Sequence, residues 1–340
     1  MLAIDAGNSK TDVTLVGPDG TVLGTARGGG FQPPVVGAGP AVAELAPLVA
    51  RATAQACAAT GLPGDPPASG PLVEHVSACL ANADLPVEER ELTHEIESYG
   101  WGRTVDVAND TFALLRAGVP DGSEPTGVAV VCGAGINCAG LAPGGRVARF
   151  PAIGRISGDW GGGGFLAEEA LWWAARADDG RGEPTTLARE LPAHFGLSTM
   201  PALIEAIHLG RIDYPRRHEL TPVLFAAAEA GDAVARAIVD RQAHEVVTMA
   251  TVALTRLDLL SEPAVVILGG GILAARRPLL HDRITQLLTE RAPKAVPQVV
   301  TAPPVLGAGL LGLDRTGAPS SAHRRLREHY AAAGRAASAL

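Results

Sequence analysis

Two stretches of this 340-residue chain are written in the same pattern, and that repetition restricts the fold more than any single residue does. Near the N-terminus an apolar run, Leu2–Asp5, gives way to the turn AGNSK. Asp12–Val16 then reads as a strand, Gly17–Gly20 (GPDG) as a turn, and Thr21–Ala26 as a third strand. Past residue 127 the order recurs: Gly127–Cys132 is a buried strand, GAGIN is a glycine turn, Cys138–Ala142 is a second strand, APGG turns, and Arg146–Phe150 is a third. Short apolar or alternating runs bounded by glycine, proline and asparagine are strands. Two sets of three strands, each with a glycine turn after the first, predict a duplicated α/β fold.

The remaining segments fit that frame. Helical spacing is read over Gly39–Ala59, Val87–Tyr99 and Thr111–Gly118, strands over His75–Leu80 and Thr104–Val107, and a proline- and glycine-rich loop over 61–71. From Gly164 to about Leu260 nearly everything reads as helix, including a long amphipathic pattern at Asp232–Leu257. Ala264–Leu268 is a buried strand followed by GGG, Pro278–Arg291 a helix, Val296–Thr301 the last strand and Gly307–Leu313 a closing helix. The Arg- and Ala-rich tail after Ser320 is expected to be a loose helix.

Composition removes several classes of function. Hydrophobic residues at 47% and charged residues at 19% point to a large buried interior. The net charge of −8 argues against a nucleic-acid partner, whose binders present a basic face. No apolar run is long enough to span a membrane, and the chain opens on the strand-like MLAID rather than a signal peptide, so no membrane partner and a cytoplasmic location are expected. The four cysteines form no CxxC pair, which excludes a zinc ribbon or a disulfide framework.

The chemistry sits at the glycine turns: IDAGNSKT, VVCGAGIN, ISGDWGGGG and VVILGGGI. Glycine lets the backbone approach a phosphate and aim successive N–H groups at it. Neither GxxxxGK[ST] nor a GxGxxG after the first strand is present, so P-loop and Rossmann readings are poor. Asp5 closes the first strand, where a carboxylate can place Mg2+ through water or simply end the strand in a turn. Lys10 is one of two lysines, with Lys294, in a chain carrying 28 Lys and Arg residues. It can meet a phosphate or, with Ser9 and Thr11, form a solvated turn. Asp110 in VANDTFALL is either a general base or the N-cap of the helix that follows. Asp159 lies in SGDWGG.

In this order the motifs resemble the N-acetylglucosamine kinases and their relatives, the BadF/BcrA-type ATPases, within the sugar kinase, actin and heat-shock chaperone superfamily. The resemblance runs from Leu2 to about Leu313. It rests on Asp-x-Gly-x-Ser-Lys-Thr, Asn-Asp-x-x-x-Ala-Leu, Gly-x-Gly-x-Asn, Gly-Asp-x-Gly and Gly-Gly-Gly. It implies two RNase H-like (actin-like ATPase) lobes with a helical insertion in the second. The first lobe would be 1–118 closed by a helix at 303–316, the second 119–302 with its helical region at 164–260, and 317–340 a tail.

The resemblance also implies ATP in the cleft with the sugar beneath it, and Mg2+ near Asp5. Gly7, Asn8, Ser9, Lys10 and Thr11 would hold the terminal phosphates, Gly133, Ala134 and Gly135 would grip them from the other lobe, and Gly269, Gly270 and Gly271 would lie against the adenosine. Asp110 matches the family's general base. Asn82, Asn109, Asn137 and Asp159, with Asp110, fall where a sugar is bound. The sequence departs from the usual first turn at Ala6 and Asn8, from the usual sugar-side Asn at Phe31–Pro33, and from Gly-Asp-Glu-Gly at Trp160, with Arg155 beside it. These departures leave the acceptor open among N-acetylglucosamine, glucosamine and other hexoses.

Two rival readings have their own signatures. An ATP-driven activator carries an iron–sulfur cluster on dedicated cysteines, whereas Cys132 and Cys138 read as buried strand residues. A sugar-sensing repressor carries a DNA-binding helix-turn-helix before the first strand, and with the chain opening on that strand and acidic overall this reading is not expected. A homodimer is expected, with 164–260 offering the surface.

Overall fold

The computed structural model describes residues 1–60, 70–122 and 124–338; most of the loop expected at 61–71 lies outside them. The duplication is present in the strand order. β1 (Leu2–Ala6), β2 (Thr11–Val16), β3 (Val22–Gly28), β4 (Val73–Leu80) and β5 (Gly102–Asn109) form one sheet in the order β3-β2-β1-β4-β5. β6 (Gly127–Cys132), β7 (Ile136–Ala142), β8 (Arg146–Arg149), β9 (Ala264–Gly269) and β10 (Ala295–Val299) form another in the order β10-β9-β6-β7-β8. Read from its other edge, the second sheet has the connectivity of the first. In each, the first strand is central, two hairpin strands lie on one side and two later strands on the other. β1 is antiparallel to β2 and parallel to β4; the outer pairs β7–β8 and β9–β10 are antiparallel and parallel in turn.

Helices supply the layers. They are α1 (Pro33–Val36), α2 (Ala38–Ala43), α3 (Ala46–Thr60), α4 (Pro86–Ser98), α5 (Asp110–Gly118), α6 (Gly163–Asp178), α7 (Leu187–His194), α8 (Met200–His208), α9 (Leu220–Glu229), α10 (Ala233–Arg256), α11 (Gly271–Ala274), α12 (Pro278–Arg291), α13 (Pro304–Arg315) and α14 (Ser320–Ser338). β1 is buried at every residue because α13 packs on it while Val42, Leu45 and Leu48 fill the core it shares with β2 and β4. A strand covered on both faces reads as a continuous apolar run, as LAI does.

Two expectations are corrected. The helix read over Gly39–Ala59 is broken after Ala43. Pro47 has no N–H to bond the carbonyl four residues back, which is Ala43, and its ring collides there, so α3 restarts with Pro47 in its first turn. The tail is not loose. Ala322, Leu326 and Tyr330, spaced by four, form one face of α14. Ala322 and Leu326 are fully buried against Val16, Leu306, Leu310 and Leu313, and the Tyr330 hydroxyl lies 2.7 Å from Thr14 Oγ1.

The chain divides into two compact units: Met1–Ala129 with Ala139–Pro151 and Val300–Leu340, and Val130–Cys138 with Ala152–Val299. The hairpin Ala139–Pro151 thus groups with the first unit.

Candidate active site

In the first unit, the central strand delivers Asp5 and the turn after it delivers the phosphate candidates. Asp5 is 4% exposed and pairs across the sheet with Asp12 on one side and Cys79 on the other. Burial pushes its carboxyl well above the usual carboxylate range; Asp110 and Asp12 push the same way and Lys10 opposes them. The Gly7–Lys10 turn is closed by the Gly7 N–H donating to the Lys10 carbonyl at 2.9 Å, and Phe31 donates its N–H to the Gly7 carbonyl at 2.9 Å. Asn8, Ser9 and Lys10 are exposed. Lys10 Nζ lies 3.7 Å from Asp12 Oδ2, half in solvent, a pair of little intrinsic worth that leaves the ammonium free to serve a phosphate.

Asp12 is a site residue that the sequence reading passed over. It is nearly buried and held by Arg27 at both oxygens, Nε to Oδ1 at 2.6 Å and Nη2 to Oδ2 at 3.0 Å. The available signal was an acid inside a strand whose other residues are threonine, valine and leucine.

The next side chains come from the ends of β4 and β5. Asn82 has a left-handed backbone, φ 63°, and its amide donates to Asn8 Oδ1 at 3.0 Å and to the Phe31 carbonyl at 3.2 Å. A residue assigned to sugar and one assigned to phosphate are therefore hydrogen-bonded to each other. The choice left open at Asp110 is narrowed by the helix boundary. Asn109, not Asp110, is the N-cap of α5: its Oδ1 accepts from the Thr111 N–H at 2.9 Å. Its other end donates to Asp84 Oδ1 at 2.8 Å, and the residue is buried. Asn109 thus caps the helix and orients Asp84.

That leaves Asp110 as the first helical residue, partly buried, with its carboxyl raised to about 6 by burial while the Thr111 N–H opposes the shift. Asp84 is a second residue not singled out from sequence. Its loop is fixed by Glu88 Oε2, which accepts from the Asp84 and Leu85 N–H groups at 3.1 and 2.8 Å, and by Arg149, which donates to the Ala83 carbonyl at 2.9 Å and to Glu89 Oε1 at 2.8 Å.

In the second unit the glycine turns converge on Cys132, the end of β6. The Gly163 and Gly164 N–H groups donate to the Gly133 and Ala134 carbonyls at 2.8 and 2.9 Å, seating the start of α6 on the 133–135 turn. Gln242 of α10, fully buried, ties this together: its Oε1 accepts from the Gly162 N–H at 3.0 Å and its Nε2 donates to Cys132 Sγ at 3.2 Å. Only glycine fits two of these positions. Gly162, φ 85°, would drive a Cβ into the Gly135 backbone, and Gly270, φ 80°, into that of Cys132. Through Gly270, the 269–271 turn is packed against the backbone of Cys132, where the 133–135 turn begins.

Asn137 and Asp159 have local partners as well. Asn137 Oδ1 accepts from the Cys138 N–H at 2.7 Å. Asp159 Oδ2 accepts from the Gly154 N–H at 3.2 Å and from the Ser157 hydroxyl, holding the Gly154–Ser157 turn. Cys79, Cys132 and Cys138 are buried free thiols, and burial raises all three, Cys132 to about 12. Such thiols are poor candidates for cluster ligands, which bind as thiolates.

Among the described residues no cluster of three or more His, Cys, Asp or Glu side chains is gathered for a metal, and no helix is long and apolar enough to cross a membrane. Burial, with Asp110 and Asp12 acting in the same direction, disfavours the charge on Asp5; a hard divalent cation would favour it, and oxygen ligands suit Mg2+.

The chain matches the model of the BadF/BadG/BcrA/BcrD ATPase family over residues 2–312. An N-acetylmuramic acid/N-acetylglucosamine kinase from Clostridium acetobutylicum is 28% identical, over 66% of this chain and 73% of its own. N-acetyl-D-glucosamine kinase from Dictyostelium discoideum is 25% identical, over 70% of this chain and 75% of its own. A solved structure from Chromobacterium violaceum, assigned as an N-acetylglucosamine kinase, agrees in fold with a TM-score of 0.66 at 23% identity, covering 92% of this chain and 98% of that one.

Proposed function

Because the chain belongs to the BadF/BadG/BcrA/BcrD ATPase family, we propose that it is an ATP-dependent sugar kinase. It transfers the γ-phosphate to a hydroxyl, O6, of an amino sugar, with N-acetylglucosamine the first choice and glucosamine or another hexose the alternatives. The observation that carries this reading is the division of labour at the head of α5. Asn109 is the N-cap, so the partly buried Asp110 carboxyl stands at the first helical position and is not the residue that caps α5. Raised to about 6, it is ionised at neutral pH yet basic enough to accept a proton from an attacking hydroxyl. The curated relatives named as N-acetylglucosamine kinases supply the acceptor class.

Phosphoryl transfer demands positioning and charge compensation more than covalent chemistry. The turns Gly7–Thr11 and Gly133–Gly135, with the Lys10 ammonium, hold the phosphates, and Gly269–Gly271 accepts the adenosine. Asn82, Asn137 and Asp159 orient the sugar, and Asp110 takes the hydroxyl proton. Asp5 would hold Mg2+, which would offset phosphate charge. The protein works in the cytoplasm, where ATP is supplied.

A coupled ADP-release screen across amino sugars and neutral hexoses tests the reading. ADP release should require both Mg2+ and a sugar, with N-acetylglucosamine or glucosamine fastest. Turnover at the same rate without any sugar would discard the kinase and favour an ATPase.

A further inference from the structure

Three of the chain's four tryptophans, Trp160, Trp172 and Trp173, line one cavity of about 630 Å³ within the second unit, together with Glu169, Glu183 and Arg241. The rest of the wall is Pro184 and the aliphatic face of α10. In a chain with only 4% aromatic residues, this concentrates aromatic surface at one place. Trp172 and Trp173 meet edge to face on α6, ring centroids 4.9 Å apart at 87°. Trp160 is buried and donates its indole N–H toward Glu169 Oε1 at 3.4 Å. Trp172 stays 51% exposed, a surface that folding alone does not account for.

The lining selects among ligand classes. A volume of this size suits a small molecule. A phosphorylated or otherwise anionic ligand would meet Glu169 and Glu183; Glu169 is paired with Arg155 at 3.5 Å, while Glu183 has no ion pair among the described residues. An organic cation would be repelled by the guanidinium groups already lying against these rings, Arg241 at 4.0 Å from Trp160 and Arg176 at 4.6 Å from Trp172, whereas a neutral ligand would not. A wholly apolar ligand would strip water from Glu183 and Arg241 without replacing its hydrogen bonds. A neutral pyranose satisfies every wall. Its C–H face lies on an indole and its rim of hydroxyls donates to the carboxylates and accepts from the guanidinium.

We propose that this cavity is a carbohydrate-binding site for a short neutral saccharide, additional to the glycine turns and independent of whether the chain transfers phosphate. Trp160 and Arg241 are chain neighbours of the segment that contains Gly162 and of Gln242, so the site abuts the framework of the 133–135 turn.

Isothermal titration of N,N′-diacetylchitobiose and of N-acetylglucosamine into the nucleotide-free protein, with tryptophan fluorescence in parallel, tests it. Saturable binding is expected. Trp172→Ala and Glu183→Gln should each weaken the disaccharide by about tenfold or more, the scale of one lost stacking or charged hydrogen-bond contact. Both side chains are exposed, so circular dichroism should be unchanged, and Asp110→Asn should bind the disaccharide as the wild type does. Absence of saturable binding by either sugar, or equal affinity in both variants, would overturn the proposal. So would sedimentation in which Trp172→Ala turns a dimer into a monomer while no sugar binds, since the face would then be an interface between two copies of the chain.

Discussion

Replacing Asp110 by Asn should slow the reaction and at the same time stabilise the protein, and the two effects together distinguish a base from a structural residue. The carboxyl is raised from 3.8 to about 6, chiefly by burial. At 1.36 kcal/mol for each pH unit, that displacement corresponds to about 3 kcal/mol of destabilisation when the group is ionised. The sign follows from proton counting. Between pH 4 and 6 the folded chain binds the Asp110 proton more tightly than the unfolded chain does, so stability falls as pH rises through that window and stays reduced above it. Asn carries no charge to desolvate and leaves Asp5 without its like-charged neighbour. Asp110→Asn should therefore gain up to about 3 kcal/mol at pH 7.5, an upper value because Asp110 keeps part of its solvent exposure. The gain should vanish near pH 4, where both proteins are neutral at this position.

The rate should move the other way. A positioned base contributes about 10²–10⁴-fold, so coupled ADP release should fall by that order in the variant. Thermal melts at pH 7.5 and pH 4, with turnover on the same preparations, make the measurement. Near-wild-type turnover would end the assignment of Asp110 as the base. A loss of stability at pH 7.5 would refute the electrostatic reasoning, whatever the rate.

Three further outcomes are expected. With the base active only when ionised, kcat/KM of the wild type should fall about tenfold per pH unit below about 6; a flat profile down to pH 5 would exclude Asp110. Lys10→Ala should raise the KM for ATP several-fold with little change in melting temperature, since its pair with Asp12 is half exposed; an unchanged KM would return Lys10 to the exposed turn. Arg327→Ala should cost about 2–3 kcal/mol, because Arg327 donates to the Ala117 and Val119 carbonyls, each at 2.7 Å, and to Asp121 at 2.8 Å; a melting temperature within error of wild type would show that α14 is not an integral part of the first unit.

What the sequence revealed and what it concealed divides along the range of the interactions. The duplicated strand order was legible because each sheet begins with an apolar run that must stop at a glycine, and that punctuation is local. The break after Ala43 and the buried face of α14 were equally local, written in Pro47 and in the spacing of Ala322, Leu326 and Tyr330. They were obscured by a helix-like composition around Pro47 and by the surrounding arginines and alanines in the tail. At the head of α5 the limit was different. Asn and Asp cap equally well, so two capping residues in a row cannot say which is outside the helix. Only the 2.9 Å bond from the Thr111 N–H to Asn109 assigns the cap.

The least legible features are long-range, and they bear most on the candidate site. Arg27 reaches across to Asp12 from the neighbouring strand. Gln242, on a helix that reads as ordinary amphipathic packing, joins Gly162 to Cys132 across 80 and 110 residues of chain. A buried amide that spends its acceptor on one glycine segment and its donor at the end of another strand would have one of its groups left unsatisfied if either segment moved. Gln242 therefore fixes the spacing of the glycine turns. A phosphate-binding surface made of backbone N–H groups depends on that spacing as much as on the glycines themselves.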